Sequence, residues 1–194
     1  MRRALKGIVL AAGVLAAGCA WATEMEGNVQ FLVGQRYLDD FWKPLNDQPM
    51  FGTEVDFAPK GSPIHVALAV SGSYQKQTVA TPFFGHTDAE AGIFELSAGF
   101  LWLPVKKGIT RPYLGAGVVT MGAGVNGNWD FFNSTDTDHS FGFYGNLGVF
   151  FKVGDAFNIG LDGRIVRGTK IQFGTVSGNA DYEQASLLIG FSWD

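Results

Sequence analysis

Seven ionisable side chains stand where β-strand alternation would turn them toward a shared interior: Arg36, Glu54, Asp56, His65, Glu95, Asp162 and Arg164. Four carboxylates, two guanidiniums and one imidazole can pair into a hydrogen-bonded plug. Pairing is close to obligatory, because an uncompensated buried charge is strongly destabilising. Tyr144 and Asn146 fall on the same inner face and join this expected polar network. The same residues would build a narrow gated pore if Arg36 or Arg164 exchanged carboxylate partners. Catalysis would need a histidine, a hydroxyl and an acid together. His139-Ser140 with Asp136 and Asp138, and His86 with Thr87 and Asp88, are the two places that supply them. Neighbouring strand residues face opposite sides, so His139 and Ser140 could not readily share a proton within a strand. Three scattered histidines, with the single Cys19 near the start, give no metal-ligand spacing. The expectation is no catalytic residue, no metal and no cofactor.

The elements that must hold these groups follow from composition and alternation. Charged residues are 16% of the 194, against about 25% in an ordinary soluble domain, while glycine reaches 27 residues and phenylalanine 17. The formal charge of −4 comes without a basic stripe, which excludes a nucleic-acid-binding surface. Residues 1–22 read as a cleaved signal peptide: Arg2, Arg3 and Lys6, then a short apolar run from Ile8 to Ala17, then Ala20-Trp21-Ala22. Lipid attachment at Cys19 is the rival reading. Without the three basic residues of this leader, 11 basic residues face 18 acidic ones, a formal −7 for residues 23–194. That stretch reads as one domain.

No later stretch has the length and apolarity of a membrane-spanning helix. What recurs is a period of two. Eight strands are expected, at 28–37, 51–58, 64–74, 91–103, 111–123, 140–153, 157–166 and 181–194. The last puts Ala185, Leu187, Ile189, Phe191 and Trp193 on one face and Ser186, Leu188, Gly190 and Ser192 on the other. So apolar a terminal strand would be a hazardous free edge. Pairing it with 28–37 closes the sheet into a barrel. Connections alternate long (38–50, 75–90, 124–139, 167–181) with short (59–63, 104–110, 154–156). Each strand sets a large-apolar face against one of Gly, Ser, Asn and charge. In a membrane barrel the apolar face meets lipid and the polar face lines the inside. An all-β, eight-stranded, antiparallel up-and-down transmembrane barrel is the expected fold, with short periplasmic turns and four long extracellular loops. A soluble periplasmic sandwich or barrel is the alternative. Phe57, Trp102, Tyr113, Phe157 and Trp193 are expected to form the periplasmic aromatic girdle. Tyr37, Tyr74, Phe94 and Phe141 lie toward the opposite rim.

This pattern resembles the small eight-stranded outer-membrane barrels typified by the OmpA transmembrane domain and OmpX, and more loosely OmpW. The run Arg111-Pro112-Tyr113-Leu114-Gly115-Ala116-Gly117 and the aromatic last strand carry the likeness. The resemblance implies an outer-membrane location and monomeric state. It also implies contact with membrane lipid and lipopolysaccharide, and recognition of the terminal strand by the barrel-assembly machinery. Asp194 after Trp193 departs from the family's aromatic terminus. Among the roles such barrels fill, a structural or surface-interaction role through the loops is the first expectation. A narrow pore is the second and a lipid A-modifying enzyme the third. The His-x-Ser spacing of barrel deacylases is missing at both histidine candidates. Loop aromatics Phe41, Trp42, Phe83, Phe84, Trp129, Phe131 and Phe132 either bind a partner surface, dip into the outer leaflet or pack on the rim.

Overall fold

The computed structural model describes residues 24–81, 85–105, 108–129, 132–133 and 136–193, without the side chains of 79–81, 85–87, 126–129, 132–133 and 136. The leader at 1–22 with Cys19, the aromatics Phe83, Phe84 and Phe131, Asp130 and Asp194 lie outside the described residues. So do the side chains of His86, Thr87, Trp129, Phe132 and Asp136.

Eight strands make the wall: β1 Met25–Leu38, β2 Asp47–Pro59, β3 Ile64–Thr81, β4 Gly85–Trp102, β5 Thr110–Trp129, β6 Asp136–Val153, β7 Phe157–Arg167 and β8 Tyr182–Trp193. Each pairs antiparallel with its sequence neighbours. β8 pairs with β1 from Gly27↔Trp193 to Leu38↔Tyr182, so the sheet closes and leaves no apolar edge within the barrel. A single helical turn, Asp40–Trp42, and a small hairpin, Lys170–Phe173 with Val176–Asn179, sit at the long-loop end.

The faces invert the pattern of a soluble protein. Phe31, Val33, Phe51, Leu96, Phe100, Leu114, Leu147, Leu187 and Phe191 are exposed around the outside, while Arg36, Gln48, Asp56, His65, Glu95 and Arg164 are buried in the lumen. Two apolar clusters lie in the lumen. One, near the short turns, contains Leu32, Leu101, Leu103, Tyr113, Phe150 and Leu188. The other, near the loops, includes Leu38, Trp42, Leu45, Ile93, Val119, Met121, Ile171 and Phe173. Glycines on the wall make room for these side chains in so narrow a barrel. Tyr144 lies flat against β4 and β5, where a Cβ at Gly99 would sit 2.5 Å from its hydroxyl and one at Gly117 2.7 Å from its ring.

Two of the expected long loops are largely strand. β3 and β4 have 18 residues each, paired from Ile64↔Trp102 out to Thr81↔Gly85, and β5 runs to Trp129. About 9–11 residues suffice to cross a bilayer, so these strands project well beyond the apolar belt. Out there the outward face meets water and carries Lys76, Thr78, Asp88 and Glu90, while Ala89 stays buried on the other face. The apolar alternation that marks a strand inside the belt vanishes, and the sequence reads as polar loop although the backbone ladder continues.

Candidate functional site: the lumen network and the closed mouth

Glu95 on β4 lies between two guanidiniums. Its Oε2 is 3.4 Å from Arg36 Nη2 and its Oε1 is 3.4 Å from Arg164 Nη2. The Tyr182 hydroxyl donates to the same carboxylate. Arg36 also donates to Ser71 Oγ at 2.9 Å and to Gln184 Oε1 at 3.1 Å, and it stacks 4.1 Å above the Tyr182 ring. Arg164 stacks 3.9 Å from the Tyr144 ring. Cation–π contact of this kind supports a guanidinium that has left water.

Nearer the short turns, Asp162 accepts from the Tyr113 hydroxyl at 2.5 Å and from Asn146 Nδ2 at 3.1 Å. Asp56 accepts from Asn28 Nδ2 at 2.8 Å and meets His65 Nδ1 at 2.7 Å, while His65 Nε2 lies 3.7 Å from Glu26. The chain of bonds continues across the closing seam. Ser192 Oγ donates to Asn28 Oδ1 at 2.6 Å, and Asn158 Nδ2 donates to Ser192 Oγ at 2.5 Å. Glu54 is buried between these groups, within electrostatic range of Arg164, Asp162 and Asp56.

All nine residues expected in the interior network, Arg36, Glu54, Asp56, His65, Glu95, Tyr144, Asn146, Asp162 and Arg164, are buried in the lumen. They form three groups rather than one: Arg36, Glu95, Tyr144 and Arg164 make the upper layer, Asn146 bonds Asp162 below it, and Asp56 meets His65 near the turns, with Glu54 buried among them. Sequence reasoning missed Tyr182, Gln184, Ser71, Ser73, Gln48, Asn28 and Asn158. Each has the strand parity of an inner residue that was read, Asn28 that of Arg36, Gln48 that of Glu54, Ser71 and Ser73 that of His65, Asn158 that of Asp162, and Tyr182 and Gln184 that of Ser186, so following the inner parity along each strand finds them.

One girdle assignment is corrected. Tyr113 is not at the lipid surface: it is 3% exposed, stacks on Phe150 at 4.5 Å and donates to Asp162. Leu114 and Pro112 take the outward positions of that strand, and the tyrosine hydroxyl finds its partner inside. Trp102 and Trp193 are on the outer surface, and Phe57 and Phe157 are half-buried on it. Tyr37, Tyr74, Phe94 and Phe141 face outward toward the other rim.

At the loop end Trp42 and the small hairpin pack together over the lumen. Trp42 is 4% exposed, donates Nε1 to the Asn179 carbonyl at 2.9 Å and meets Phe173 edge-on at 5.9 Å. The hairpin beneath it is pinned through side chains. Lys170 N donates to Ser140 Oγ at 2.7 Å, Gln172 N to Asp138 Oδ2 at 2.6 Å, and Thr169 N to Asp181 Oδ1 at 2.9 Å. The amides of Gln172 and His139 hold the Asp138 carboxyl below its ordinary range. A carboxyl with a lowered folded value stabilises above its unfolded value and loses that contribution as the pH falls through the folded one. Amide exchange at Gln172 should therefore accelerate only below the usual aspartate range, and Asp138→Asn should accelerate it at neutral pH. Equal exchange in both proteins at all pH values would contradict this role.

The catalytic candidate at His139 does not assemble. Ser140 Oγ is occupied by the Lys170 amide, and the exposed His139 ring lies over Gly122 on the outer face, 3.2 Å from where a Cβ there would be. Among the described residues, no group of three His, Cys, Asp or Glu side chains could hold a metal ion.

The family model described as an outer membrane protein beta-barrel domain matches residues 8–194. No curated protein matches the chain in sequence. Among solved structures, Ail of Yersinia pestis, in complex with the heparin analogue sucrose octasulfate, superposes with a TM-score of 0.59 at 12% identity, covering 88% of this chain and 100% of that one. OprG of Pseudomonas aeruginosa gives 0.59 at 13% identity, covering 87% and 94%. The N-terminal barrel of Pseudomonas aeruginosa OprF gives 0.54 at 14%, covering 86% and 99%. At these identities the likeness is one of fold.

Proposed function

Because the chain belongs to the outer-membrane β-barrel domain family and is an outer-membrane protein, we propose that it is a non-conducting, non-catalytic barrel with a structural or surface-interaction role. The observation that carries this reading is the packing of buried side chains within the lumen. At the turn end an apolar cluster shares the lumen with the polar group of Asp56, His65, Asn28 and Asn158, the paired charges of Glu95 lie above, and a second apolar cluster lies under Trp42. Exchange of carboxylate partners by Arg36 or Arg164 would open only the middle layer. The Ser140 and His139 geometry speaks against a lipid A-modifying enzyme at that rim.

The interacting surface is the loop end, where β3, β4 and β5 project and the capping hairpin is held in one arrangement. Its acids include Asp39, Asp40, Asp47 and Asp138. Such a surface disfavours a polysulfated ligand like the one bound to Ail, and favours neutral or basic partners. Membrane lipid and lipopolysaccharide surround the apolar belt in this reading. The assembly machinery reads β8, and the barrel acts as a monomer. Two measurements test it together. Vesicles containing the purified barrel should take up small sugars no faster than empty ones, and lipid A mass spectra should be the same with and without expression. Faster uptake would replace this reading with the pore, and a new lipid A species with the enzyme.

A further inference from the structure

Two cations stand together at the short-turn mouth of the lumen. Arg111 on β5 and Lys152 on β6 have the strand parity of Tyr113 and Phe150, which are buried in the lumen, so both point inward at its rim. Arg111 is directly opposite Phe150, and the Lys152 amide donates to the Ile109 carbonyl at 2.8 Å. The two cations are therefore diagonal neighbours on adjacent strands, about 7–8 Å apart along the wall and within reach of each other's long side chains. Both are half-buried, and among the described residues neither side chain makes a hydrogen bond or an ion pair. Arg111 Nε is buried outright and has no partner. An orphan buried donor is uncommon and calls for an acceptor.

The groups around the pair already have partners. Asn158, directly opposite Lys152 on β7, bonds Ser192 at 2.5 Å. Asp162 faces Gly148, one inner step deeper than Phe150, and takes the Tyr113 hydroxyl at 2.5 Å. Glu26 belongs to β1, four strands away around the wall, and lies 3.7 Å from His65. Asp155, in the turn after β6, is exposed. We propose that Arg111 and Lys152 form a binding site for a phosphate group at the short-turn mouth. Charge and shape select that class. The guanidinium offers a planar fork that matches oxyanions, and the ammonium adds a compact second charge. A phosphate monoester carries about −1.5 to −2 at neutral pH, which balances the two cations. A single carboxylate would leave one of them uncompensated. Half-burial keeps the attraction stronger than between groups fully in water. Free phosphate and the phosphate headgroup of a membrane lipid present this same chemistry. The site does not involve the Glu95 layer, and the proposal does not depend on whether the barrel conducts.

The test is nuclear magnetic resonance of the ¹⁵N-labelled barrel in maltoside micelles, which carry no phosphate, following the Arg111 Nε–H and the Lys152 backbone amide. Inorganic phosphate is titrated at constant ionic strength, and phosphatidic acid is mixed into the micelles in a separate series. A saturable shift at Arg111 is expected. Lys152→Gln should weaken the affinity about tenfold, the usual loss for one charged hydrogen bond. Arg111→Lys keeps the charge but removes the fork; read at the Lys152 amide, it should also weaken binding, and it serves should Lys152→Gln not fold. Lys60→Gln removes the same charge from an exposed turn position and should bind as the wild type does. A shift with inorganic phosphate assigns the site to free phosphate, and a shift with phosphatidic acid alone assigns it to a lipid headgroup. No saturable shift in either series would overturn the proposal. So would equal affinity in the wild type, Lys152→Gln and Arg111→Lys, or an equal loss in Lys60→Gln.

Discussion

Glu95→Ala is expected to lower the stability of the folded barrel by about 3–5 kcal/mol, the usual cost of removing one partner from a buried ion pair. The carboxylate is 1% exposed and is the group through which Arg36 and Arg164 are both neutralised, each at 3.4 Å. Its loss leaves two guanidiniums facing each other across the lumen and strips the Tyr182 hydroxyl of its acceptor. Glu95→Gln keeps an acceptor without the charge and should fall between alanine and wild type. Glu183 supplies the contrast. Its bond to Arg167 is shorter, at 2.8 Å, but both side chains are more than half exposed. Exposed pairs contribute about 0–1 kcal/mol, so Glu183→Ala should barely move the urea midpoint read by tryptophan fluorescence. Equal shifts for Glu95→Ala and Glu183→Ala would contradict a charge-paired lumen.

Gly27→Leu should damage closure of the barrel. Gly27 faces Trp193 on one side and Phe57 on the other, and the Trp193 indole lies across it at the seam between β1 and β8. A Cβ at Gly27 would stand 2.8 Å from indole Cη2 and closer still to the Asp56 carbonyl oxygen. Overpacking of this kind costs about 1–3 kcal/mol, and here it falls on the pairing that closes the barrel. The folded, heat-modifiable species on cold gels should appear more slowly and in lower yield. Trp193→Ala removes the same contact from the other strand and should also slow assembly. Because the two changes share one interaction, the double variant should lose less than the sum of the single losses. Strict additivity would show that the indole does not close the seam through Gly27.

The barrel was legible in the sequence because lipid imposes a rule on every spanning strand. Large apolar residues must face out, so alternation in 28–37, 64–74 or 181–193 marks both the strand and its inner face. The same rule placed Glu95, Arg164 and Asp162 in the lumen. It says nothing above the bilayer, which is why 75–90 and 124–139 read as loops while β3, β4 and β5 continue through them. Tyr113 shows a second limit. Aromatic identity near a strand end suggested a girdle, whereas strand parity set the ring inside, and parity governs because a strand offers only two directions. Partner choice within the lumen was not legible. That Glu95 joins both arginines, while Asp56 joins His65 and Asn28, depends on how strands distant in sequence are staggered around the closed sheet. Trp42 was read only as a loop aromatic. Its burial over Phe173 depends on a hairpin more than a hundred residues away.

The most direct measurement of the central claim is the ionic current through single copies of the purified wild-type barrel in a planar bilayer. A lumen packed with two apolar clusters and paired charges predicts a trace that stays at the lipid baseline at either polarity, with Arg164→Ala equally silent. Discrete, reproducible current steps from the wild-type protein would contradict it.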